Sequence, residues 1–291
     1  MSEQDGIVVS KDQIAYVARE LRRGVMPNLL RASLRTAKWP EEQIRALMGP
    51  AFDGVISAED VDYEAIYTSR ITALAETHAD IRPATTSKAQ VYTWKNFLRP
   101  EICDQLVART EQMWRDSTVV DVFADPKIRT SKSADIGGVG DPLIFQLDQL
   151  MAEALGIHWS YSDPSQTQRY QAGQEYKAHH DYFAPGTRDY QVHCQDRGQR
   201  TWTFMVYLSD VEEGGGTRFR KLEKTFMPKK GSAVIWNNLN RDGSVNPWTL
   251  HHGMKVRQGT KYIVTKWFRE RGWGPMRFSD REEAGTIQAQ R

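Results

Sequence analysis

Thr201-Trp202-Thr203-Phe204-Met205-Val206-Tyr207-Leu208 is a run of β-branched, aromatic and aliphatic residues. It is long enough for one strand and far short of the ~20 apolar residues that cross a bilayer. Residues 232–236 and 261–268 repeat the pattern, and Gly214-Gly215-Gly216 marks a turn between the first two runs. From Gln168 onward, short strands separated by glycine-rich turns predict a sandwich or jelly roll. Upstream, residues 91–98 read as a strand, and Pro100-Glu101 opens a helix whose Ile102, Leu106 and Met113 face a sheet.

Further toward the N-terminus the periodicity is helical. Ser10 with Gln13 forms a capping box ahead of Ile14, Val17, Ala18 and Leu21 on one face. Leu29, Leu30 and Leu34 suggest a second helix, and Pro40-Glu41-Glu42 opens a third that Gly49-Pro50 closes. The polar stretch Arg82-Pro83-Ala84-Thr85-Thr86-Ser87 has the composition of a connection. It divides a helical region, residues 1–82, from a catalytic domain, residues 83–275, followed by a tail, residues 276–291. For the helical region, buttressing the barrel is expected ahead of docking a peptide.

The 291 residues carry 39 Lys and Arg against 37 Asp and Glu, a formal charge of +2. That balance argues against a partner bound by neutralising its phosphates, so no nucleic acid is expected. Cys103 and Cys194 form no CxxC, which removes zinc ribbons and redox dithiols and fits a reducing, cytoplasmic compartment. The acidic, polar residues 1–5 lack the basic start of an export signal. A soluble protein without a membrane partner is the expectation.

The sharpest chemical feature is Tyr170-Gln171-Ala172-Gly173-Gln174-Glu175-Tyr176-Lys177-Ala178-His179-His180-Asp181. Residues two apart on a strand share a face, so His179 and Asp181 can present an imidazole and a carboxylate to one point while His180 turns away. A second pair, His251-His252, follows seventy residues later, and closing a double-stranded barrel would bring one of its rings opposite the first pair. Two imidazoles and a carboxylate form the facial triad of non-haem Fe(II) oxygenases. An isolated HxD is common and reads by itself as a surface contact. Lys261, on a strand-like run after His251, adds a cation able to meet the far carboxylate of a dicarboxylic cosubstrate.

With these elements in view, residues 91–273 resemble the prolyl 4-hydroxylase branch of the Fe(II)/2-oxoglutarate dioxygenases. The likeness rests on ordered motifs: Arg129-Thr130-Ser131, Arg169-Tyr170 with Gly173-Gln174-Glu175-Tyr176, His179-x-Asp181-Tyr182-Phe183, and Gly198-Gln199-Arg200. It continues through Tyr207-Leu208-Ser209-Asp210, Pro228-Lys229-Lys230-Gly231, His251 with Gly259-Thr260-Lys261, and Lys266-Trp267. The resemblance implies an α+β fold: a double-stranded β-helix, or jelly roll, with flanking helices. It implies His179, Asp181 and His251 as iron ligands, choosing His251 over His252. It places Lys261 on the distal carboxylate of 2-oxoglutarate beside Tyr170 and Thr217, and Tyr176, Arg200 and Trp267 at the substrate mouth.

The implied activity is hydroxylation of a proline, peptidyl or free, coupled to conversion of 2-oxoglutarate and O2 to succinate and CO2, with ascorbate as a further requirement. Asp181 stands where halogenating relatives carry Gly, so hydroxylation is expected over halogenation. The chain departs from the family at Gly216-Thr217-Arg218-Phe219-Arg220-Lys221 and at His252-Gly253-Met254-Lys255-Val256. The extra basic residues read as a solvated loop before they read as an anion-attracting rim. The rival substrates are another amino acid or a small natural product. The rival class is a catalytically silent jelly-roll binding protein, against which the intact set His179, Asp181, His251 and Lys261 argues.

Overall fold

A strand covered on both faces buries successive side chains in opposite directions, and in Arg200–Tyr207 every residue after Arg200 is buried. In the computed structural model, Trp202, Phe204 and Val206 enter one core and Met205 and Tyr207 another. The structure describes residues 27–48, 61–117, 128–136, 141–195 and 197–272, together with Asp12, Gln13, Tyr16, Val17, Glu20 and Phe52. The capping box at Ser10, most of the first helix expected from the sequence, and the tail at 276–291 lie outside these residues.

In chain order the strands are β1 (Ile81–Pro83), β2 (Val91–Trp94), β3 (Arg115–Asp116), β4 (Lys132–Ile136), β5 (Ser165–Tyr170), β6 (Tyr176–His179) and β7 (Arg200–Tyr207). They continue as β8 (Glu213–Gly214), β9 (Thr217–Phe219), β10 (Lys224–Phe226), β11 (Ala233–Asn237), β12 (His251–Gly253), β13 (Val256–Gln258) and β14 (Lys261–Arg269). An eight-stranded sheet runs β1-β2-β11-β7-β14-β5-β4-β3 and a four-stranded sheet runs β10-β9-β12-β6, with β13 and β8 paired separately. Pairing is antiparallel throughout.

One face of the large sheet carries helices. Pro142–Leu155 is capped by the Asp141 carboxylate on Leu143 N–H and closed by Gly156 at φ 66°. It sets Ile144, Leu147 and Met151 against Trp202, Phe204, Val264 and Phe268. Lys266, buried within β14, reaches into this layer and pairs with Asp148 at 2.8 Å. The other face meets the small sheet, where Met205, Tyr207, Val234, Trp236 and Ile263 pack with Phe219 and Tyr170. The same alternation places Thr203, Lys261, Thr265 and Trp267 on that inner side.

Pro27–Thr36 and Glu41–Met48 form the second and third helices expected from sequence, joining Leu30, Leu34, Ile44 and Met48 to Val17 and Phe52 in a separate small core. Arg82, where the sequence suggests a connection, lies within β1. Ile66, Ile71 and Ile81 share the main core with Trp202 and Phe204, so the packing partners change between Phe52 and Val61. Two local expectations also shift. Residues 91–98 are strand only to Trp94, with Asn96 at φ 55° in the turn that follows. Met113 lies beyond the helix Pro100–Thr110 and is exposed.

Candidate metal and cosubstrate site

The register of β12 on β6 decides which histidine joins the first pair. His251 lies opposite His179, and an antiparallel partner shares the face of the residue it opposes. His252 points the other way, its Nδ1 buried with no partner among the described residues. β6 ends at His179, and the next turn of chain brings Asp181 back beneath both rings. Its Oδ1 lies 3.6 Å from His179 Nε2 and 3.8 Å from His251 Nε2. Donor atoms of all three residues fall within 4.8 Å of one another.

The outer atoms of each ligand candidate are already engaged. His179 Nδ1 is 2.8 Å from the Lys177 carbonyl and His251 Nδ1 is 2.9 Å from that of Thr249. A carbonyl only accepts, so both Nδ1 atoms carry a proton and the Nε2 atoms are the ones left to face a metal. Burial, then the nearby His251, pushes His179 down to about 3, which leaves the ring neutral at physiological pH. For Asp181, burial alone would raise the carboxyl. The His251 and His179 imidazoles, Arg200 and the Thr203 hydroxyl outweigh it and hold the carboxyl below its ordinary value. Thr203 Oγ1 donates to Asp181 Oδ2 at 2.8 Å. Two imidazoles and one carboxylate, converging with Nε2 and Oδ1 uncommitted, fit a ferrous ion.

A cavity of about 670 Å³ opens from these residues between the sheets. At its inner end Lys261 is 2% exposed. Its Nζ lies 5.2 and 5.5 Å from the Tyr170 and Tyr207 ring centres. Among the described residues no carboxylate forms an ion pair with it, and burial pulls the ammonium down to about 7. Gly253, two residues past His251, ties this end to the metal candidates: a Cβ placed there would lie 3.8 Å from Lys261 Nζ. Tyr170 and Thr217 line the same cavity. The Tyr170 hydroxyl donates to Gln168 at 2.7 Å and Thr217 accepts from the Tyr207 hydroxyl at 2.8 Å.

The residues expected at the mouth share the cavity wall. Tyr176 stacks on His179 with ring centres 3.5 Å apart. Arg200 lies 4.2 Å over Trp267, with Nη1 on the Asp181 carbonyl at 3.3 Å and Nε on Asp163 at 3.4 Å. Arg200 therefore also braces the loop that carries Asp181. The basic residues Arg218, Arg220 and Lys221 do not line the cavity.

Several residues that shape the site were given no role from the sequence. Gln199 brackets the backbone of Phe183, accepting from its N–H at 2.8 Å and donating to its carbonyl at 2.7 Å. The Glu270 carboxylate accepts from Gln199 N–H at 2.8 Å and from the Tyr63 hydroxyl at 3.0 Å. Gly198 makes room for this at φ 66°, where an added Cβ would stand 2.2 Å from Glu270 Oε2. Gly198→Ala therefore combines left-handed strain with a clash. It should cost about 1–3 kcal/mol and lower Tm by several degrees in thermal denaturation. An unchanged Tm would remove this reason for the glycine.

Comparison with known proteins agrees with the geometry. Over residues 165–269 the chain matches the 2OG-Fe(II) oxygenase superfamily. Prolyl 4-hydroxylase 5 of Arabidopsis thaliana is 31% identical over 204 residues, spanning 62% of this chain and 68% of that protein. Prolyl 4-hydroxylase 1 of the same plant is 31% identical over 210 residues, spanning 63% and 72%. Among solved structures, the viral collagen prolyl hydroxylase of Paramecium Bursaria Chlorella virus-1, in its 2OG complex, has 25% identity and a TM-score of 0.49, covering 62% of this chain and 95% of that one. The chain belongs to the prolyl 4-hydroxylase family of Fe(II)- and 2-oxoglutarate-dependent dioxygenases.

Proposed function

We propose that the protein hydroxylates a proline, with His179, Asp181 and His251 holding the iron and Lys261 anchoring 2-oxoglutarate. The observation that carries the reading is a buried lysine that has no carboxylate partner among the described residues and shares one cavity with the converged triad. A buried unpaired ammonium is costly unless a ligand supplies the anion. Iron and 2-oxoglutarate, when bound, supply the oxidising chemistry that yields succinate and CO2 and hydroxylates an unactivated carbon.

The chain's own residues bind and orient. The two Nδ1 protons are held on backbone carbonyls so that both Nε2 atoms face inward. Tyr170 and Thr217 supply hydroxyls beside Lys261, and burial of this end keeps competing water away from the ion pair. Tyr176, Arg200 and Trp267 form the side where the substrate enters. Burial pushes the Tyr176 hydroxyl up to about 12, so it acts as a neutral hydrogen-bonding group.

A peptide is the preferred form of the proline, supported by the open cavity and by family membership, with free proline or another small molecule as the alternative. We read the two facing antiparallel sheets as the double-stranded β-helix, with residues 61–272 as the catalytic unit and the helical core around Phe52 as its appendage. A reducing, cytoplasmic setting is supported by Cys103 and Cys194, both free and buried, with burial pushing each thiol up to about 11. Among the described residues no helix is long and apolar enough to cross a membrane.

The test is mass spectrometry of proline-rich peptides, free proline and other amino acids incubated with the protein, Fe(II), 2-oxoglutarate and ascorbate. One added oxygen on a peptidyl proline, with matching succinate, is the expected product. Omitting ascorbate is expected to shorten the time course. Oxygen added only to a different amino acid would replace the substrate assignment, and no iron-dependent succinate with any of them would favour a binding protein.

A further inference from the structure

Asp181 sits at the end of a buried chain of side-chain hydrogen bonds whose direction is fixed by the donor at its other end. The indole Nε1 of Trp236 lies 3.1 Å from Asn238 Oδ1. An indole nitrogen only donates, so the Asn238 amide must turn its oxygen toward Trp236 and its NH2 away. That NH2 reaches Thr203 Oγ1 at 2.9 Å. With its oxygen accepting there, the Thr203 hydroxyl sends its single proton to Asp181 Oδ2, 2.8 Å away. Trp236, Asn238 and Thr203 are all at most 1% exposed, so water does not compete for any link. Trp236 also packs edge-on against His251, ring centres 4.8 Å apart.

We infer that Thr203, oriented by Asn238 and Trp236, is a positioning residue that commits Asp181 to a metal through one oxygen. A metal-binding carboxylate can donate through one oxygen or both. Here Oδ2 is held by the hydroxyl, and Oδ1 is the oxygen that approaches both His179 Nε2 and His251 Nε2. Keeping the second oxygen off the ion preserves the open positions that the facial triad needs for its cosubstrates. The inference rests on the metal-site reading above and extends it to residues that do not touch the ion. Strand alternation explains the placement, since Thr203 lies on the inner face of β7, aligned with Trp267 of β14 and Trp236 of β11.

The experiment is a titration of the metal-free protein with Co(II) alone, followed by visible absorption, with near-ultraviolet circular dichroism to verify the fold. Thr203→Val keeps the shape and removes the hydroxyl. It should weaken Co(II) binding by about 10–100-fold, the usual cost of losing such an outer partner, and alter the cobalt spectrum. Thr203→Ser should restore both. Asn238→Leu leaves the hydroxyl but removes the donor that orients it, and should weaken binding several-fold. It decides the matter if Thr203→Val does not fold. Wild-type affinity and spectrum in folded Thr203→Val, or in Asn238→Leu where it serves in its place, overturns the inference. Failure of the wild type to bind Co(II), or unchanged binding in Asp181→Ala, overturns the metal-site reading instead.

Discussion

Asp181→Ala is expected to abolish iron-dependent, substrate-coupled release of succinate. The substitution removes the only carboxylate among the three candidate ligands and leaves two imidazoles whose Nδ1 atoms are tied to backbone carbonyls. It also strands the Thr203 hydroxyl, whose proton has Asp181 Oδ2 as its acceptor. Loss of an outer partner of a metal ligand costs about 10–100-fold, so loss of the ligand itself should exceed that range. The carboxyl is held below its ordinary value, so its charged form adds stability at neutral pH, and alanine should lower Tm modestly without unfolding the protein. The Arg200 contact to this loop is made to the Asp181 backbone carbonyl, which alanine retains. Succinate assays and circular dichroism on the same preparation separate lost chemistry from lost structure. Full retention of coupled turnover would dismantle the assigned triad.

How much of this was legible in the sequence depends on which face of a strand each residue uses. β7, β11 and β14 are buried on both sides, and the apolar runs at 201–208, 232–236 and 261–268 fall within one residue of them. β5, Ser165–Tyr170, escaped notice because Gln166, Gln168 and Tyr170 line the cavity, and a strand that lines a polar site loses its apolar alternation. The helix Pro142–Leu155 also lies outside the elements drawn from sequence, although Asp141 and Gly156 bracket it. Spacing suggested that His179 and Asp181 share a strand face, whereas β6 ends at His179 and Asp181 approaches it from the loop that follows. Choosing His251 over His252 required either the family resemblance or the strand register, because a one-residue slip exchanges the faces. Thr203 was hidden for the same reason: a threonine in an apolar strand acquires meaning only when its inward parity and its neighbour are both known. A polar stretch such as residues 82–87 need not be a break in packing. β1 begins one residue earlier, and Ile81 is fully buried in the main core.

Lys261→Met should divide stability from function. In the protein without cosubstrate, the ammonium is buried with no carboxylate paired to it among the described residues, and its fall from 10.5 to about 7 corresponds to roughly 5 kcal/mol of unfavourable burial. Methionine fills similar space without the charge. Tm of the cosubstrate-free variant should therefore exceed that of the wild type at pH 7. The sign of the pH dependence follows from the proton count. Between about 7 and 10.5 the unfolded lysine holds a proton that the folded one has released, so wild-type stability rises with pH through that window. The methionine variant lacks this contribution, and the difference in Tm should shrink as pH climbs toward 10. Cosubstrate binding should run the other way. The distal carboxylate of 2-oxoglutarate needs the ammonium, and removing one member of a buried ion pair costs about 3–5 kcal/mol, so KM for 2-oxoglutarate should rise by roughly 10²–10³-fold in Lys261→Met. In the wild type, binding above pH 7 must first return the proton to Lys261, and the apparent affinity should fall by up to about tenfold per pH unit there. Denaturation scans and KM measured across the same pH range test both halves together. A variant less stable than the wild type at pH 7, or a KM for 2-oxoglutarate that Lys261→Met leaves unchanged, would show that the buried ammonium is not waiting for an anion.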